Sequence, residues 1–222
     1  MSHTVKIKSI EPLTHDVLKF VLEKLPGFTF VPGQAADFAI NQPNWEKEWR
    51  TFTFTSLPED NHLEFNIKTY TDHNGVTNEL RNLKVGDEVI IGDVYGDIRY
   101  KGEGIFIAGG AGITPFIAIL KDLEQKGQLR NNKLIFANKT QKDIIQKPLL
   151  NKMLGDKFIN ILSDENVPGF EHGFVSAAII NKHRENNHQH FYLCGPPPMM
   201  KAVEQHLASL GINEENIVKE GF

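Results

Sequence analysis

Three short segments concentrate residues whose types and spacing could do chemistry. The first is Ile107-Ala108-Gly109-Gly110-Ala111-Gly112-Ile113-Thr114-Pro115, an apolar run entering a glycine-rich turn that opens a helix. Glycines allow a backbone to pass close under a ligand, and amides at a helix start favour a phosphate. The spacing is not that of the Rossmann fingerprint, which places its third glycine three residues after the second. A nucleotide loop and a tight structural turn are both open on this segment alone.

The second segment is Tyr192-Leu193-Cys194-Gly195-Pro196-Pro197-Pro198-Met199-Met200, another strand end running into a turn and a helix. Ligands of parallel sheets sit at the carboxyl ends of strands, so Cys194 and the Gly110–Thr114 loop are candidates to line one crevice. A lone buried cysteine is more often a small packed core residue than a contact. The third segment is Arg50-Thr51-Phe52-Thr53-Phe54-Thr55-Ser56. Its arginine offers a bidentate fork to phosphate, its aromatic a face for a planar ring, and its hydroxyl a hydrogen bond one position further on.

Elements of two kinds must hold these segments. Up to about residue 100, period-two alternation (Leu18, Phe20, Leu22; Phe52, Phe54) and turn signals at Pro26-Gly27, Pro32-Gly33 and Gly86-Asp87 predict strands over 5–10, 17–22, 35–40, 51–55, 63–70 and 88–92. These form a six-stranded antiparallel β-barrel over residues 1–101, with a short helix after Gly75. From Gly104 apolar runs alternate with helical patterns, predicting an α/β domain over 102–222. Its five-stranded parallel sheet uses 105–108, 133–137, 158–162, 191–194 and 217–219. Helices are predicted over 115–126, with Phe116, Ile117, Leu120 and Leu123 on one face, and after Pro198, with Met199, Val203, His206, Leu207 and Leu210 inward.

Composition narrows the function further. A formal charge of −4 over 222 residues gives no basic excess for neutralising a nucleic-acid backbone. The single cysteine rules out an internal disulfide and a cluster held by four protein thiolates within these residues. The uncharged stretch 104–120 carries four glycines and Pro115, a poor lipid-facing helix. With no secretory pattern at the first residues, the expectation is a cytoplasmic protein without membrane insertion. His172, His183, His188 and His190 lack cysteine or paired-carboxylate partners in ligand spacing, so no metal is expected.

Together the three segments resemble the ferredoxin-NADP reductase family, in its flavodoxin or ferredoxin reductase type without a fused iron–sulfur domain. The resemblance covers essentially the whole chain and implies an FAD-binding barrel joined to an NAD(P)-binding α/β domain. It implies that Arg50, Thr51, Phe52 and Thr53 bind flavin, with Phe52 and Thr53 where tyrosine and serine are commoner. Phe52 keeps the stacking face and lacks the phenolic hydroxyl. It also matches Ile67, Lys68 and Tyr70, followed by Gly75, Val76 and Thr77, to a strand and turn that grip the FAD pyrophosphate; their plainer readings are a turn glycine and a helix N-cap. On the nicotinamide side it matches Gly109, Gly110, Gly112, Thr114 and Pro115 with Cys194, Gly195, Pro196 and Met199. Thr114 would lie where flavin and nicotinamide meet, and Cys194 would orient the nicotinamide without covalent chemistry. Asn138, Lys139 and Thr140 would meet the adenosine end, where Lys139 and Thr140 suit a 2′-phosphate. Phe222 would cover the flavin face as a gate, against the plainer reading of a frayed terminus.

The resemblance therefore implies an FAD-dependent enzyme that takes hydride from NADPH or NADH and passes electrons to a flavodoxin or ferredoxin, as a monomer. Thr53, Cys194 and Phe222 are the residues expected nearest the reacting atoms. Competing readings are a flavin reductase, the reductase component of an oxygenase, and a nucleotide-binding subunit without activity of its own.

Overall fold

The computed structural model describes residues 2–220. The first half is an antiparallel sheet in the order β4-β3-β6-β1-β2-β5. Its strands are β1 (His3–Pro12), β2 (Val17–Glu23), β3 (Ala35–Ile40), β4 (Arg50–Thr53), β5 (His62–Lys68) and β6 (Glu88–Tyr95), and helix α1 (Val76–Glu79) follows β5. The strand β4 ends one residue before Phe54, whose antiparallel bridge to Phe65 joins the two outer strands and closes the barrel. Alternation fills the interior: Phe20, Phe38, Phe54 and Phe65 are fully buried. Phe54 lies between Phe30 at 4.1 Å and Phe65 at 4.8 Å between ring centroids. Truncating it to alanine would cost about 3–5 kcal/mol.

The second half is an all-parallel sheet in the order β10-β9-β8-β7-β11-β12. Its strands are β7 (Gly104–Gly109), β8 (Lys133–Asn138), β9 (Phe158–Leu162), β10 (Glu171–His172), β11 (His190–Cys194) and β12 (Ile217–Val218). The sheet has six strands rather than five, because β10 adds two residues along the far edge of β9. Two residues are too short for any periodicity to betray. Helices α2 (Thr114–Gln125), α3 (Lys147–Leu154), α4 (Ala177–His183) and α5 (Pro197–Ser209) cover the faces. Pro115 at the start of α2 forgoes a donor that the first turn cannot use, and Gly127 at φ +65° ends the helix in the left-handed conformation.

The chain enters this sheet at its centre and builds β8 to one side and β11 to the other. The carboxyl ends of β7 and β11 are thus a topological switch point, where open α/β sheets bind ligands. Tyr192 fixes the connection between the halves. Its hydroxyl donates to the Gly102 carbonyl at 2.6 Å and accepts from the Lys101 and Gly102 amides at 2.9 and 3.0 Å, while its ring stacks on Phe106 at 4.2 Å. Burial pushes the phenol up to about 12. Among the described residues no helix is long and apolar enough to cross a membrane.

Candidate active site

The strand pairing Cys194↔Ala108 sets the two glycine-bearing turns side by side at the switch point. The glycines divide their work. A Cβ on Gly112 would collide with the Cys194 carbonyl, so that glycine is needed for one turn to pack on the other, whereas one on Gly109 would meet the sulfur of the flexible Met199 side chain. Gly110 differs: at φ +51° it is left-handed, and the place of its missing Cβ is open space. The approach of a ligand thus concerns Gly110, while Gly112 serves the turn–turn contact. Thr114, buried at the helix start, donates from its hydroxyl to the Ala111 carbonyl at 3.0 Å and tightens the loop.

Cys194 is half-buried at the end of β11. Burial, reinforced by the Glu220 carboxylate, pushes its thiol up to about 12, so it is a neutral thiol at ordinary pH. That state suits an orienting contact and not a nucleophile. Glu220 reaches the barrel as well, accepting from the Asp97 amide at 3.1 Å. Phe222 lies outside the described residues.

The barrel contributes its β4 and β5 edges. Arg50 is exposed, with one guanidinium nitrogen donating to the Trp49 carbonyl at 2.6 Å and Glu48 3.8 Å from the other. The Thr51 hydroxyl meets the Tyr95 hydroxyl, which donates to Asp37 at 2.7 Å. A register shift between Ala36 and Phe38 marks Asp37 as the irregular residue of β3. Phe52 is partly buried and packs edge-on against Phe38 at 5.4 Å, and Thr53 pairs with Ala35. Along β5, Ile67 is buried, Lys68 pairs with Asp16 at 2.9 Å, and Tyr70 beyond the strand is exposed. Burial alone would lower the Lys68 ammonium, yet the bond and charge of Asp16 hold it above its ordinary value. Gly75 caps α1 with open space where its Cβ would be, Val76 is buried and Thr77 half-buried.

Domain contact completes the site. The outer face of β5 meets the Gly110–Ile113 turn. Lys121 of α2 reaches across to the Thr55 carbonyl at 2.7 Å and the Glu64 carboxylate at 3.2 Å. Lys121 and Glu64 look like ordinary surface polar residues until the two halves are assembled, and Asp37 and Tyr95 until strands β3, β4 and β6 pair, so none of the four stands out in the sequence.

Among the described residues two buried amides have no partner through either Oδ1 or Nδ2: Asn66 on β5 and Asn138 at the end of β8. Both strands pack against the Gly110–Ile113 turn. Buried polar groups are ordinarily hydrogen-bonded, so a pair of orphaned amides flanking this turn fits a site built for a bound group. The expected FAD and nicotinamide therefore suit the residues present.

At the adenosine end the expectation changes. The Thr140 hydroxyl and amide both donate to the Asp143 carboxylate at 2.8 Å, and the Gln141 amide donates to Glu165 at 2.8 Å. Thr140 with Asp143 forms a capping box. Lys139 is exposed, and its carbonyl accepts from the Asp164 amide at 2.9 Å. Acidic groups thus crowd the turn that a 2′-phosphate would have to approach. His15, Asp16 and Asp143 do bring three metal-type donors together, but Asp16 is engaged by Lys68 and Thr14 and Asp143 by Thr140.

Comparison with known proteins follows this division. Residues 4–100 match the oxidoreductase FAD-binding domain and residues 106–205 the oxidoreductase NAD-binding domain. The reductase component of propane 2-monooxygenase from Rhodococcus jostii is 29% identical over 98% of this chain, which spans 62% of that relative's length. The FAD/NAD-binding domain of a nitric oxide dioxygenase from Vibrio cholerae superposes with a TM-score of 0.88 at 22% identity, covering 99% of this chain and 98% of that one. A ferredoxin NADP+ reductase from Neisseria gonorrhoeae, determined with FAD and NADP, gives 0.85 at 18% identity, covering 100% and 99%. With both halves matched by their own domain models, and the two turns joined across a barrel edge as described, the chain belongs to the ferredoxin-NADP reductase family of FAD- and NAD-binding oxidoreductases.

Proposed function

We propose that this chain takes hydride from a reduced nicotinamide onto FAD and passes the electrons singly to a separate carrier protein of ferredoxin or flavodoxin type. The observation that carries the reading is the convergence of the Gly110–Ile113 turn, the Cys194 turn and the outer face of β5 at one switch point. FAD supplies the exchange between two-electron and one-electron chemistry. Arg50 and the Gly75–Thr77 turn, with Val76 packed beneath it, hold the pyrophosphate. Phe52 gives a ring face, Thr51 and Thr53 give hydroxyls, Lys68 and Tyr70 line the same side, and Ile67 serves from the barrel core by fixing the strand that carries Lys68. Thr114 and the neutral Cys194 thiol orient the nicotinamide against the flavin position, with Pro115, Gly195, Pro196 and Met199 shaping the wall behind it.

NADH is the donor in this reading. Asp143, Asp164 and Glu165 beside Lys139 and Thr140 suit a ribose hydroxyl and repel a second phosphate. A second reading, the reductase component of an oxygenase, is favoured by the likeness to the propane 2-monooxygenase reductase component. Steady-state turnover with NADH, comparing purified ferredoxin, flavodoxin, an oxygenase component and free FMN as acceptors, tests the proposal. A kcat/KM at least tenfold higher for a ferredoxin or flavodoxin supports it. Preference for the oxygenase component or for free FMN replaces it, and a protein that reduces none of them is a binding subunit.

A further inference from the structure

Strand β5 carries a buried side chain that no group among the described residues satisfies. Its alternation sends Leu63, Phe65 and Ile67 into the barrel and Glu64, Asn66 and Lys68 outward. The two charged residues have partners: Glu64 takes the Thr55 hydroxyl at 2.7 Å and Lys121 at 3.2 Å, and Lys68 pairs with Asp16 at 2.9 Å. Asn66 stands between them, 5% exposed, with neither amide atom hydrogen-bonded. An apolar residue would fill this place without the desolvation cost of an unpaired amide, so the asparagine points to a partner that arrives with a ligand.

We propose that the Asn66 carboxamide hydrogen-bonds the pyrimidine edge of the flavin and raises its midpoint potential. The inference rests on the FAD reading above. A carboxamide offers one acceptor and one donor group side by side, and the complement must offer the same pair reversed. The isoalloxazine pyrimidine ring does so, with N3–H flanked by two carbonyls. A nicotinamide carboxamide has the same pairing, but it departs in every turnover and would leave Asn66 unpaired and shielded from water each time. A resident cofactor does not. Lys68, two residues further along the strand, shares the outward face of Asn66 and is also assigned to the flavin side. Nδ2 donating to a ring carbonyl favours the reduced flavin, where negative charge gathers on that ring.

The test compares wild type with Asn66→Leu and Asn66→Asp in three measurements: FAD dissociation constant, NAD+ dissociation constant of the FAD-saturated protein, and flavin midpoint potential by dye equilibration. Asn66→Leu is expected to keep its circular dichroism spectrum, weaken FAD at least tenfold and change NAD+ binding less than twofold. The potential is expected to fall in the order wild type, Asn66→Leu, Asn66→Asp. FAD affinity and potential both unchanged in the variants would overturn the inference, as would a loss confined to NAD+ binding. If Asn66→Leu does not fold, the isosteric Asn66→Asp carries the same potential measurement. A wild-type protein that does not take up FAD defeats the underlying reading instead, so the two failures are distinguishable.

Discussion

Gly112 and Cys194 hold the two nucleotide turns together: a Cβ on Gly112 would run into the Cys194 carbonyl and the Gly195 backbone. Gly112→Ala must therefore push the turns apart. Overpacking of this kind costs about 1–3 kcal/mol and, for a chain of this size, about 2–4 °C of Tm per kcal/mol. Calorimetry should show that loss together with a raised KM for NADH. Gly110→Asn is the contrasting variant, because asparagine tolerates a left-handed φ and no atom stands in its way. It should leave Tm nearly unchanged.

Lys121 and Glu64 tie α2 to the barrel in a partly buried pair that includes the Thr55 carbonyl. Lys121→Met leaves the Glu64 carboxylate facing the seam with only the Thr55 hydroxyl, at a cost of about 2–4 kcal/mol. Adding Glu64→Gln removes the uncompensated charge. A double-mutant cycle on urea unfolding should return at least half of the loss, and strictly additive losses would show that the pair does not couple the domains.

The Cys194 thiol is raised from 9.0 to about 12, first by burial and then by the charge of Glu220. Because the folded value lies above the unfolded one, the neutral thiol's contribution to stability is intact below pH 9. It is lost as pH climbs from 9 toward 12. At pH 8 the thiolate is about 10³-fold scarcer than in an unperturbed thiol, so iodoacetamide should label the native protein slower by about that factor. Cys194→Ser should slow flavin reduction by tenfold or more while changing the NAD+ dissociation constant less than threefold. An unchanged reduction rate would remove Cys194 from the site.

Asp143 and Glu165 set the donor preference in this account. The wild-type kcat/KM for NADH should exceed that for NADPH at least tenfold. Asp143→Asn with Glu165→Gln should narrow the ratio by about tenfold, since it removes two negative charges from the turn that carries Lys139. A wild type that prefers NADPH would assign the turn to a 2′-phosphate after all.

The glycine-rich turn and the Cys194 turn were legible because their signals are local: apolar runs, glycines and prolines at strand ends. Their adjacency also followed, from the rule that parallel strands gather ligands at their carboxyl ends. Asn66 was not legible. Alternation says that it faces away from the barrel core, and outward ordinarily means solvent; its burial appears only in the assembled chain, where β5 packs against the Gly110–Ile113 turn. Lys121 was hidden for the same reason, as a charge on a helix whose apolar face was already accounted for. Asp37 depends on a strand irregularity that composition does not encode. The bond from Thr140 to Asp143, three residues on, was not legible, because residue type alone does not show which partner a hydroxyl takes.

The most direct test is an anaerobic visible spectrum of the purified protein, reconstituted with FAD if necessary, before and after one equivalent of NADH. The protein should hold one FAD per chain and lose the flavin absorbance within seconds. A protein that binds no FAD, or holds it without responding to NADH or NADPH, contradicts the proposed hydride transfer.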